Sequence, residues 1–270
     1  MPARIKHMAI VSDNFLVEER FYQAAFGLKS SSRSRPDSAG VVTDGYVGLN
    51  INPRAAGRQA GFDHFGVEVD DVATIEARVR EAYPTVHLLK RPSNRPFAGI
   101  SMHDPAGNVF DLSQKDMANR ANVYTDEALA NEHYPRRFKH FQLRTVDPVG
   151  VARFYRDVLD LTELDKAADD PNYYLSDGRI TLIVAPWRIE NYLGTGIERP
   201  ALDHIGFEVE SLREFEADLE ALAARIPALG PRQFKGGAEG SARLKLLTTC
   251  RYGRYQLADP DGVLLDVSEG

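Results

Sequence analysis

Asp203-His204-Ile205-Gly206-Phe207-Glu208-Val209 restates Asp63-His64-Phe65-Gly66-Val67-Glu68-Val69, and this repetition decides the reading of the fold. Upstream, Lys6-His7-Met8-Ala9-Ile10 is matched by Lys139-His140-Phe141-Gln142-Leu143. The stretch after each carries Arg20-Phe21-Tyr22 or Arg153-Phe154-Tyr155, with the phenylalanine 14 positions beyond the histidine in both copies. Downstream, Asp104-Pro105-Ala106-Gly107-Asn108-Val109-Phe110-Asp111 is matched by Asp259-Pro260-Asp261-Gly262-Val263-Leu264-Leu265-Asp266. The offset grows from 133 at His7 and His140 to 140 at His64 and His204, and to 155 at Asp111 and Asp266. The second copy therefore has insertions but keeps its order, as a duplicated domain does.

A finer repeat runs inside each half. His7, His64, His140 and His204 each open an apolar strand-like run, followed by an N-cap candidate (Asp13, Asp71, Asp147 or Ser211) and a helical pattern. The helices are expected at about 15–26, 72–82, 148–158 and 212–225, with Pro148 at a first helical position where no backbone donor is needed. Short strand-like runs follow each helix, with turn chemistry at Asp44-Gly45 and Asp177-Gly178. The expected class is α+β: two homologous domains, each of two strand, helix, strands modules. The expected boundaries are 1–115 for the first domain, 116–137 for a polar linker with helical character over Tyr124 to Tyr134, and 138–270 for the second. Lys235-Gly236-Gly237-Ala238-Glu239-Gly240 reads as a flexible loop.

Composition narrows the function. With 43% hydrophobic and 27% charged residues the chain can bury a core, and its 270 residues suit two domains better than one. The net charge of −6 weighs against a phosphate-backbone partner, so no nucleic acid is expected. No apolar run approaches the ~20 residues that span a bilayer, which points away from membranes and towards a cytoplasmic protein. With only Cys250, no intramolecular disulfide and no thiolate zinc site are expected, and Cys250 reads as a small buried side chain.

The chemistry lies in the repeated histidines. Side chains alternate across a strand, so one slot used in every module points to one face of the sheet. His7 and His64 would then converge on one concave face and His140 and His204 on the other, each pair joined by a last-strand carboxylate, Asp111 or Asp266. Two imidazoles and a carboxylate leave neighbouring positions open on an octahedral ion, which suits non-haem Fe(II) oxygen chemistry. A divalent ion held by this set keeps a net positive charge of one and attracts an ionised oxygen ligand.

The paired histidine and Phe-Tyr motifs, the Asp-His-[Phe/Ile]-Gly-x-Glu-Val stretches and the Asp-Pro-x-Gly-x-x-x-Asp turns together resemble the vicinal oxygen chelate superfamily over nearly the whole chain. The two-domain layout is similar to that of type I extradiol ring-cleaving dioxygenases. That resemblance implies that each domain is two paired βαβββ modules forming a cupped mixed sheet. It implies a divalent metal, most simply Fe(II) with Mn(II) and Zn(II) as alternatives, held in the second domain by His140, His204 and Asp266. It also implies a small catechol-like diol as substrate, O2 as co-substrate, and a homo-oligomer.

The chain departs from the family pattern at three places. Both last ligands are Asp where the family has Glu. Gln256 stands where the extradiol pattern has Tyr; Tyr255, adjacent to it on the opposite strand face, is the candidate catalytic tyrosine. No histidine lies within Trp187 to Leu193, where those enzymes carry an acid-base residue. Glyoxalase-type relatives add a carboxylate from the last strand of the first module, but Tyr46 to Ile51 and Thr181 to Val184 contain none. Trp187, Tyr192 and Tyr252 are candidates to wall a pocket for an aromatic substrate. His103 is a candidate proton carrier in the first domain, although a turn residue there needs no such role. The alternative functions are a glyoxalase-like metal-dependent lyase or isomerase, and a non-enzymatic binder of a drug or other small molecule.

Overall fold

The computed structural model describes residues 3–30, 39–93, 95–117, 134–192, 199–232, 237–248 and 250–270. The helical character expected over Tyr124 to Tyr134 falls almost wholly outside these residues. The first half comprises β1 (Arg4–Ser12), α1 (Phe15–Phe26), β2 (Lys29–Ser30), β3 (Gly40–Thr43), β4 (Gly48–Pro53), β5 (Gly61–Val69), α2 (Val72–Ala82), β6 (Leu88–Lys90), β7 (Ile100–His103) and β8 (Val109–Gln114). Its strands form one sheet in the order β2-β3-β4-β1-β5-β8-β7-β6. The second half begins with β9 (Arg137–Thr145), α3 (Pro148–Leu159), β10 (Thr162–Glu163), β11 (Tyr173–Ser176), β12 (Thr181–Pro186) and a short α4 (Ile189–Tyr192). It continues with β13 (Leu202–Val209), α5 (Leu212–Arg225), α6 (Gly237–Leu247), β14 (Tyr255–Ala258) and β15 (Leu264–Glu269). The second sheet runs β10-β11-β12-β9-β13-β15-β14. Among the described residues no helix is long and apolar enough to cross a membrane.

Local signals account for the four main helices. In α3, Asp147 accepts from the Gly150 amide, Pro148 occupies the first turn, and buried Val151, Phe154, Tyr155, Val158 and Leu159 keep one helical stripe. Asp71 and Ser211 cap α2 and α5 with their side chains. At α1 the cap is Asn14 rather than the expected Asp13, whose carboxylate instead pairs with Arg54 at 2.7 Å. The fourth module departs from the βαβββ plan. Where the first half has β6, the second has α6, so Gly237 to Gly240 are helical rather than a flexible loop. The fifteen residues gained between the offsets of 140 and 155 fall in this stretch.

The central strands β1, β5, β9 and β13 are buried on both faces over most of their length. In the second sheet one face carries Phe141, Leu143, Ile205, Phe207, Leu265 and Val267 into a core that the two halves share without interruption. Phe26 stacks on Phe207 with centroids 3.8 Å apart, and Phe65 lies 4.7 Å from Phe141, so the join between the halves is itself core. The other face of the same strands carries His140, Gln142, Arg144, His204 and Asp266.

Four turn aspartates bind the halves reciprocally. Asp44 accepts from the Phe138 amide at 3.0 Å, and its counterpart Asp177 accepts from the Ile5 amide at 2.7 Å. Tyr22 donates to Asp259 at 2.9 Å, while Tyr155 donates to Asp104 at 3.2 Å. The Phe-Tyr and Asp-Pro motifs of the sequence thus meet across the pseudo-twofold rather than within one copy.

Candidate metal centre

Antiparallel pairing of β1 with β5 and of β9 with β13, and parallel pairing of β5 with β8 and of β13 with β15, place each histidine pair beside its aspartate. In the first cup His7 Nε2 lies 3.1 Å from His64 Nε2, and His64 Nε2 lies 3.4 Å from Asp111 Oδ2. In the second, His140 Nε2 lies 3.2 Å from His204 Nε2, and Asp266 Oδ2 lies 3.3 Å and 3.6 Å from the two nitrogens. The shorter carboxylate therefore reaches both imidazoles. A glycine next to each site makes room for the ring: a Cβ on Gly206 would sit 2.1 Å from His140 Cε1.

Matching outer contacts orient the ligand atoms. Asp203 faces His204 Nδ1 at 3.4 Å and is held by Arg144 at 2.9 Å, which turns Nε2 towards the cluster. Asp63 does the same for His64 at 2.7 Å, with Arg58 behind it. Gln256 donates to Asp266 Oδ1 at 2.8 Å, and Ser101, 155 positions earlier, donates to Asp111 Oδ1 at 2.6 Å. Tyr252 stacks on His140 with centroids 5.2 Å apart, as its counterpart Phe97 stacks on His7 at 5.0 Å.

The two cups differ in charge. Arg91 places a guanidinium nitrogen 3.0 Å from Asp111 Oδ1, so a cation already neutralises the first carboxylate. Burial, with His64 and Arg91 adding to it, holds His7 well below the usual histidine range. No arginine occupies the equivalent place among the described residues of the second cup. There burial disfavours charge on His204, but Asp203, Cys250 and Asp266 outweigh it and raise the imidazole to about 10. Among the described residues Asp266 Oδ2 has no hydrogen-bond partner, although the residue is 1% exposed.

Cys250 is the residue that sequence reasoning missed. Its sulfur lies 3.8 Å from His140 Nε2, and one ligand atom each from His140, His204, Cys250 and Asp266 lie within 4.8 Å of one another. The sequence carried one signal for it, the inserted segment just before the last hairpin.

Other expected site residues lie elsewhere. Tyr255 pairs with Val267 while Gln256 pairs with Asp266, so the Tyr255 ring points to the opposite face, where it meets Phe215 edge-on at 6.2 Å. Trp187 lies one residue beyond the Pro186–Thr145 pair at the far end of β12, and Thr145 is itself roughly 17 Å along β9 from His140 at ~3.3 Å per residue. The backbone of Tyr192 ends α4, and its side chain falls outside the described residues. His103 is tied into its turn, facing the Asp104 carbonyl at 2.8 Å and accepting from the His87 amide at 3.0 Å. Tyr252 alone of the expected pocket aromatics is seen at the centre.

No protein-family model and no curated protein sequence matches this chain. Solved structures do. The chain is similar to a Mn(II)-bound glyoxalase from Novosphingobium aromaticivorans, with TM-score 0.66 and 16% identity, covering 99% of this chain and 83% of that one. It is similar to a catechol 2,3-dioxygenase, with TM-score 0.63 and 13% identity, covering 100% and 88%. It is also similar to 2,2',3-trihydroxybiphenyl 1,2-dioxygenase from Sphingomonas wittichii, with TM-score 0.64 and 15% identity, covering 100% and 91%.

Proposed function

We propose, from a chain with the two-domain vicinal oxygen chelate fold, a metal-dependent enzyme whose second cup holds a divalent ion through His140, His204 and Asp266. Its reaction is ring opening of a catechol-like diol with O2, and the metal is Fe(II). One observation carries this reading: among the described residues a buried carboxylate oxygen, 3.3 Å and 3.6 Å from two imidazole nitrogens, has no hydrogen-bond partner, and none of them places an arginine on it as Arg91 is placed in the first cup. Such an atom is costly to bury unless something positive meets it. The likeness to both glyoxalase and ring-cleaving dioxygenase structures supports the metal-centred chemistry, and the absence of an acid over Thr181 to Val184 favours the dioxygenase.

The ion, when bound, supplies Lewis acidity towards the two substrate oxygens and a redox route to O2. The protein does the rest. Asp203 and Arg144 fix the tautomer and direction of His204. Gln256 holds one oxygen of Asp266 and leaves the other for the cation. Tyr252 lies flat on His140, where it limits access to that ring and offers a hydroxyl beside Thr181 at 3.5 Å.

Anaerobic loading with Fe(II), followed by air and a panel of catechols, should give the coloured ring-opened product. His140→Ala should lose both the bound ion and the colour, and His7→Ala should keep both. Loss in neither variant would overturn the ligand assignment. Turnover under nitrogen with Mn(II) or Zn(II) would favour a lyase or isomerase, and an unchanged ligand with no bound metal would favour a binder.

A further inference from the structure

We propose that Cys250 is a fourth protein ligand of the second cup, joining His140, His204 and Asp266 as a thiolate. The inference rests on the metal reading above and adds a residue to it. The thiol has no room to be a bystander: it is 2% exposed, and its sulfur is 3.8 Å from the same His140 Nε2 that faces His204 and Asp266. A separate observation points to the same place: among the described residues Asp266 Oδ2, buried and 3.3 Å and 3.6 Å from the two imidazole nitrogens, has no hydrogen-bond partner.

Internal duplication isolates the difference. Phe97 and Tyr252 occupy one structural place, as do Ser101 and Gln256, all at the offset of 155. By the same count Cys250 corresponds to Arg95, which is exposed, while the group that actually meets Asp111 is Arg91. The first cup thus closes with a fixed cation on its carboxylate, and the second with an anion-forming sulfur beside its histidines.

Charge supports the assignment. His140 is 0% exposed, and His204 and Asp266 are each 1% exposed, so these side chains lie in a low-dielectric surrounding. Two neutral imidazoles, one carboxylate and one thiolate balance a divalent ion to zero, whereas three ligands leave one buried positive charge. On binding, the thiol proton passes to solvent and the sulfur lone pair goes to the metal.

The cysteine arrives on a braced loop. Arg251 lies over the Tyr174 ring at 4.1 Å and donates to the Tyr252 hydroxyl at 2.8 Å, while Arg254 donates to the carbonyls of Arg251 and Gly253. A Cβ on Gly253 would sit 1.7 Å from Asp266 Oδ1, so the loop backbone presses directly on the carboxylate. Two substrate oxygens and O2 require three positions, one more than four ligands leave on a six-coordinate ion. Cys250 must therefore release the metal when the substrate complex is complete, which makes it a resting-state ligand.

The test uses the whole apo-protein and Co(II). Wild type should bind one equivalent with a near-ultraviolet sulfur-to-cobalt charge-transfer band. Cys250→Ser should lose that band and bind Co(II) about tenfold or more weakly, since even outer contacts of a metal site are worth ~10–100-fold. Zn(II)-loaded wild type, which needs no variant, should show one sulfur at about 2.3 Å by X-ray absorption. A nitrogen-and-oxygen shell without sulfur, or a band that survives in Cys250→Ser, overturns the proposal and leaves the three-ligand reading standing. Wild type that takes up no Co(II), or His140→Ala that binds it equally, overturns both.

Discussion

Glycine and arginine decide what the two cups can hold. Gly206 lets the His140 ring lie against the β13 backbone, and Gly66 is pressed in the same way, with a Cβ there 2.5 Å from Phe97 Cδ1. Gly206→Ala should displace His140, reduce bound metal to below about a tenth of wild type and cost ~1–3 kcal/mol in urea unfolding, as overpacking does. Arg91 should exclude an ion from the first cup, because two unit charges ~4 Å apart repel by about 4 kcal/mol at the effective dielectric near a protein surface. Arg91→Ala should therefore raise metal content by elemental analysis from one towards two equivalents per chain, provided that His140, His204 and Asp266 are intact. At this scale the histidine and aspartate positions were legible in the sequence because each recurs at the same place in every copy. Cys250 was not, since it occurs once and only the folded loop brings it to His140.

Among elements, the helices read true to sequence because their caps and stripes are local, whereas the fourth module did not. Gly237 to Gly240 look like a loop by composition, yet they start α6, a helix that no local pattern announces. Tyr255 shows the cost of a one-residue choice within a strand: neighbouring side chains point to opposite faces, and the pairing of Gln256 with Asp266 assigns the tyrosine to the core. The helix-to-turn contacts Tyr22–Asp259 and Tyr155–Asp104 are an element-level latch. Tyr22→Phe and Tyr155→Phe should each destabilise by about 1–3 kcal/mol through a buried acceptor that loses its donor. As the two pairs share no residue, the double variant should be near the sum, measured by urea denaturation.

The whole molecule should unfold as one cooperative body, because Phe26, Phe65, Phe141 and Phe207 place the join of the halves inside the core. Its pH dependence should be carried partly by Glu18, which is fully buried. Burial and the neighbouring Asp259 raise its carboxyl to about 10, far above its ordinary value. The folded chain binds that proton more tightly than the unfolded chain does, so this contribution is complete at acid pH and is lost as pH rises from the ordinary carboxylate range towards 10. Glu18→Gln should flatten the fall in urea midpoint between pH 5 and pH 9 and leave the variant the more stable protein at the alkaline end.

The sequence by itself determined the duplication, the strand and helix order around each histidine, and the two sets of His, His and Asp. Repetition and periodicity are written along the chain and need no knowledge of distance. Tertiary structure decided which cup carries a fixed arginine, how far Trp187 stands from the cluster, and that the Cys250 sulfur lies beside His140 Nε2. Those depend on strand register and loop path, where one position of shift reverses a face and residues 110 apart, Cys250 and His140, come into contact.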